Sequence, residues 1–116
     1  MENFIENTLP EFSQEQIEAA KAKYGSKCLK ISEIFPNEDD EEPVRFLLKK
    51  PSKNLIYLLG SKEYENDVQK SSKAMISNCV LAGDAQLLEN DASVYTELVS
   101  QIGGMAKAAK SSLKKV

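Results

Sequence analysis

Between Asn78 and Asp91 the chain reads NCVLAGDAQLLEND, gathering a cysteine, a glycine and two aspartates around two short apolar runs. A thiol and paired carboxylates are the raw material of nucleophilic, acid–base and metal chemistry, but each needs a companion. A thiol or hydroxyl nucleophile is usually activated by histidine, and the chain contains no histidine. Imidazole metal ligands are excluded with it. Neither a serine nucleophile nor a glycine-rich loop accompanies Asp84 and Asp91. Each polar residue here has a turn-forming role instead. Gly83 suits the left-handed residue after a helix that contains Cys79, and Asp84 can cap the single turn AQLLE. Asn90 tolerates left-handed geometry, and Asp91 can cap the final helix. The stretch reads as a turn, with no catalytic, cofactor or metal site expected.

Other clusters read the same way. Cys28 and Cys79 lack CxxC spacing, and Cys79 falls on an apolar helical face, so buried structural thiols are expected. The run EDDEE, Glu38 to Glu42, lacks the alternating ligands, glycine and distal glutamate of a calcium loop and reads as solvated. In the terminal KAAKSSLKK the lysines complement the negative end of a helix. Their alternative reading is a small nucleic-acid-associated protein that uses Lys107, Lys110, Lys114 and Lys115. Against it, Arg45 is the only arginine among 15 basic residues, and the net charge is −3. Arginine makes the forked contacts to guanine and phosphate, so nucleic acid is not the expected partner.

The elements that would position these residues are punctuated clearly. Ser13, with Gln16 as its capping-box partner, starts a helix that Gly25 ends, with Ile17, Ala20 and Tyr24 on one face. KCLKISEIF and VRFLLKK read as strands across a turn-rich loop, an antiparallel hairpin. After Pro51, Ser52 can cap KNLIYLLGSKEYE with Leu55, Leu58 and Leu59 inward. A further helix fits DVQKSSKAMISNCVLA and ends at Gly83. The last helix starts near Asp91 and places Val94, Leu98, Ile102, Met105, Ala109, Leu113 and Val116 on one stripe. Gly103 and Gly104 interrupt it, either as a hinge or as a site of close backbone approach. The expectation is a single α+β domain over residues 1–116: an N-terminal helix, a two-stranded antiparallel hairpin, then a bundle of three to four helices.

At 116 residues, 41% hydrophobic and 28% charged, the chain suits one soluble domain with a modest core. The apolar run from Asn54 to Gly60 is far shorter than the roughly 20 residues of a membrane span, so no membrane partner is expected. The acidic N-terminal sequence lacks signal-peptide character, which points to the cytoplasm.

Several of these motifs occur together elsewhere. Lys50-Pro51 after a strand, Asn78-Cys79, Gly83-Asp84, Asp91, Gln101 and the closing Leu113-Lys114-Lys115 resemble a family of phage and prophage proteins, many from Bacteroidetes hosts. The family commonly has a tryptophan after its Asn-Cys pair, where this chain has Val80. The layout is similar to the tail assembly chaperones of long-tailed phages, small α-rich proteins that coat the tape-measure protein. The resemblance covers about residues 43 to 116. It implies a non-enzymatic, cofactor-free protein in the cytoplasm of a bacterial host, with a tape-measure-like protein client. Leu98, Ile102, Met105 and Leu113 would then take up apolar helical segments of that client, with Gly103 and Gly104 as the hinge. A two-stranded hairpin is marginal alone, so it must pack on the helices or on a partner, and a homo-oligomer is one outcome.

Overall fold

A computed structural model describes residues 9–107, 109 and 111–116. Lys110 and the first eight residues lie outside the described residues. Helix α1 spans Gln14–Tyr24, and Ser13 Oγ accepts from the Gln16 N–H at 3.2 Å, the expected cap. Gly25 leaves the helix at φ 83°, a conformation glycine adopts without steric cost. After one 3-10 turn the chain enters β1, Leu29–Ile34, and returns as β2, Val44–Lys49. The two pair antiparallel from Leu29 opposite Lys49 to Ile34 opposite Val44. Helix α2, Lys53–Leu59, is capped by Ser52 Oγ on the Leu55 N–H at 3.1 Å. Helix α3, Val68–Cys79, is capped by Asp67.

Here the structure departs from sequence periodicity. The helix stops at Cys79, and Val80–Ala82 extends as β3 along the second edge of β2. The sheet therefore has three antiparallel strands in the order β1-β2-β3. The reason lies in β2, where Phe46, Leu47 and Leu48 are consecutive and all buried. Successive strand residues point to opposite faces, so β2 must be central and covered on both sides. Pairing Leu48 with Val80 and Leu47 with Ala82 supplies its missing neighbour and overrides the helical preference of Leu81 and Ala82.

Helices α4, Ala85–Asn90, and α5, Ala92–Ala106, complete the fold. The main core lies between one sheet face and the C-terminal helices, where Phe46, Leu48, Ile76, Leu88, Leu98 and Ile102 are buried together. The opposite face carries a smaller cluster of Ala20, Leu47 and Ala82, flanked by Phe12, Ile17 and Leu29. The architecture is α+β, as expected: an N-terminal helix, an antiparallel sheet and C-terminal helices.

Helix α5 ends ten residues before the stripe drawn from its sequence. Lys107 closes it through its N–H on the Gly104 and Met105 carbonyls, and Leu113 and Val116 are fully exposed beyond it. The described residues past Ala106 are all exposed, so burial does not reward helical order there, and two adjacent glycines raise the cost of continuing.

Candidate functional site

Around the turn from Gly83 to Asp91, the carboxylates are occupied as caps. Asp84 Oδ1 accepts from the Leu87 N–H at 3.0 Å. Asp91 Oδ1 accepts from the Ser93 hydroxyl at 2.6 Å and from the Ser93 and Val94 N–H groups at 2.9 and 3.2 Å. These bonds, the hydroxyl's first, hold the Asp91 carboxyl below its ordinary range. Asn90 is the last residue of α4 rather than a left-handed linker, since no residue other than glycine has a positive φ among the described residues. Its amide donates to the Gln86 carbonyl at 2.9 Å.

Gly83 has a different task from the one its sequence position suggests. The preceding helix has already ended, and Gly83 sits at φ 152° directly over the Phe46 ring. A Cβ there would come 2.1 Å from Phe46 Cδ2, so the position demands glycine through close approach. Its N–H donates to the Pro10 carbonyl at 2.9 Å, tying the N-terminal segment to the end of β3.

The thiols behave differently from each other. Cys79 is fully buried, and burial pushes its thiol up to about 11, opposed by the nearby Lys49 charge. It stays protonated and unreactive at neutral pH. Cys28 is only half-buried, and its thiol donates to the Tyr24 carbonyl at 3.3 Å. The expectation of a buried thiol holds for Cys79 alone.

The residues expected to grip a client are not brought together. Leu98 and Ile102 are 0% exposed in the main core, where they hold the fold and cannot meet a partner without unfolding it. Met105 is half-buried at the rim of that core, and Leu113 lies past the end of α5. Gly103 and Gly104 both sit inside the continuous helix α5. A Cβ on Gly103 would meet Met75 Cε at 3.9 Å, an ordinary contact, and one on Gly104 would meet nothing within 4 Å. Neither glycine marks a close backbone approach, and the helix does not break at them.

The charged runs stay at the surface. Glu38, Asp39, Glu41 and Glu42 are exposed, while Asp40 accepts from the Asn37 backbone N–H at 3.0 Å and so closes a local turn. Among the described residues no group of three or more potential ligands is placed to hold a metal ion. Lys107, Lys114 and Lys115 are exposed, and Lys110 lies outside the described residues. Arg45 is engaged by Glu33 through Nε at 2.9 Å. No helix among the described residues is long and apolar enough to cross a membrane.

One surface does stand out. In α2 the five residues from Leu55 to Leu59 are all apolar, yet only Leu55 is buried and Leu59 half-buried. At about 100° per residue, Ile56, Tyr57 and Leu58 sweep the arc opposite the core. Tyr57, in the middle, is 68% exposed, with the Lys53 ammonium 5.5 Å from its ring centre. Leu58 thus faces out, against its expected inward direction. A marginal seven-residue helix usually covers its outer face with polar side chains, and this one does not. The signal was present in LIYLL, five apolar residues with no polar face.

No protein-family model matches the chain, and neither a curated protein nor a solved structure matches it.

Proposed function

We propose that this protein acts by binding another protein rather than by catalysis. In this reading it is a tail-assembly-chaperone-like factor whose client offers apolar helical segments of the tape-measure type. The observation that carries the reading is the arc of Ile56, Tyr57 and Leu58, three adjacent apolar side chains exposed on a helix already anchored by Leu55. An amphipathic client helix could cover that arc with its own apolar stripe, removing from water what the fold leaves exposed. The capping duties of Asp84 and Asp91 and the protonated thiol of Cys79 support a non-catalytic role.

The test is co-expression with the products of neighbouring genes, followed by affinity capture of wild type, Tyr57→Lys and Ile56→Glu. A long, helix-rich client should be retained by wild type and lost from both variants, with melting temperatures unchanged because both positions are exposed. Absence of such a client, or its equal retention by the variants, overturns the reading.

A further inference from the structure

The sheet ends in two unlike edges. At one, β3 offers only three residues and its pairing carries a register shift, and both features discourage another strand from adding. At the other, β1 offers six residues in unbroken register with β2, without proline or bulge. The Lys50 N–H donates to the Cys28 carbonyl at 2.8 Å, which fixes the alternation of the ladder. Lys30, Ser32 and Ile34 turn their backbone groups toward β2, whereas Leu29, Ile31 and Glu33 turn theirs to the open side. The Leu29 N–H is taken by the Ser26 carbonyl. Beside this edge Ile31 and Phe35 are 51% and 54% exposed, which is unusual for large apolar residues at a strand.

We infer that β1 pairs antiparallel with β1 of a second copy across a two-fold axis at Ser32, joining two sheets into one of six strands. This surface is separate from α2, and the inference stands apart from the function proposed above. The register follows from donors and acceptors. With Ser32 on the axis, the Ile31 N–H meets the Glu33 carbonyl of the second copy, and the Glu33 N–H meets its Ile31 carbonyl. The Phe35 N–H meets the Leu29 carbonyl at each end, and the occupied Leu29 N–H is asked only to face Phe35, beyond the strand. Centring the axis on Ile31 instead would leave each Glu33 carbonyl facing that occupied N–H. Side chains agree with the Ser32 register, since directly opposite residues share a face. Leu29 meets Phe35 at both ends, and Ile31 meets the stem of Glu33, whose carboxylate remains satisfied by Arg45 at 2.9 Å. No like charges stand opposite one another. Strand addition of this length buries far less than the roughly 1,200 Å² of a standard interface, so the dimer is weak and concentration-dependent.

Sedimentation of wild type, Ile31→Glu and Ile31→Lys between roughly 10 μM and 1 mM tests the pairing over the range expected of a small interface. Wild type should shift from monomer to dimer. Ile31→Glu places its carboxylate opposite Glu33 of the second copy and should abolish dimerisation. Ile31→Lys places an ammonium there and should keep or tighten it at low salt. Melting temperatures check folding, which the half-exposed position should leave intact. A wild type that stays monomeric throughout overturns the proposal. So does equal weakening by both substitutions, which would indicate loss of a generic apolar contact. A monomer whose β1 edge binds a foreign strand, lost in Ile31→Glu, would also overturn it and assign the edge to that partner.

Discussion

On one face of the sheet Phe46 and Leu48 press against α3 and α5, with Ile76, Leu98 and Ile102 buried among them. On the other face Leu47 meets α1, whose one buried side chain is Ala20. Both faces belong to the same strand, so backbone hydrogen bonding cannot explain the difference. What differs is how much apolar volume each covering layer brings. Hydrophobic stabilisation scales with area removed from water, so the helical side holds the fold while α1 adds little beyond covering Leu47 and Ala82. Local stability should therefore be graded across the sheet, with α1 opening well before the rest.

Substitutions on the two faces can break or sharpen that contrast. The largest effect belongs to Leu98→Ala, a deletion inside the packed side, which should cost about 4 kcal/mol in denaturant unfolding. Next comes Gly83→Ala, where the new methyl group meets the Phe46 ring at 2.1 Å and the backbone is held at a positive φ. A loss of about 3 kcal/mol is expected, and a smaller one would mean that the Phe46 ring can move aside. Replacing both Gly103 and Gly104 with alanine should raise stability by about 1–2 kcal/mol, because neither new methyl group finds an obstacle. A lowered melting temperature would show that α5 needs those glycines for packing.

On the thin side, Ile17→Ala should cost only about 1 kcal/mol and should speed amide exchange in α1 without altering exchange in α5. Equal acceleration in both helices would show that the two faces unfold as one unit. On the packed side, Cys79 reports its burial through pH. Burial raises the Cys79 thiol to about 11, above the roughly 8.5 of an unfolded thiol. Its contribution is therefore complete below that unfolded value and is lost as pH climbs toward 11. Cys79→Ala, though less stable at neutral pH, should lose less stability across that alkaline range than wild type. In thiol labelling at pH 8, Cys28 should react promptly and Cys79 only on unfolding.

What could be read from the sequence was local. Ser13, Ser52, Asp84 and Asp91 each satisfy a backbone N–H two or three residues on, so their capping roles are written in adjacent residues. The path of Val80–Ala82 was not legible, because it is set by pairing with Leu47 and Leu48, far back in the chain. The stripe from Val94 to Ile102 is legible in the spacing, but its extension to Val116 is not realised, because the helix ends at Ala106 and Leu113 and Val116 are fully exposed. The exposed arc of α2 is not legible in the sequence for a related reason. Five consecutive apolar residues cannot all face inward, and which of them turn out depends on where α2 docks. Tyr24, placed with Ile17 and Ala20 on the face of α1, instead sits partly exposed between the ammonium groups of Lys23 and Lys49, 5.2 and 5.1 Å from its ring centre.

The central position of β2 also sets a timetable during synthesis. Its first neighbour, β1, precedes it, but its second, β3, follows only after α2 and α3 have been made. At about 5–20 residues per second, a ribosome needs roughly 2–7 s to move from Lys49 to Ala82. Throughout that interval the nascent hairpin carries Phe46 to Leu48 with one flank unpaired and most of its covering layer still unmade. The fold closes late, once residues 80–106 have been made and supply the missing strand and the rest of the helical layer.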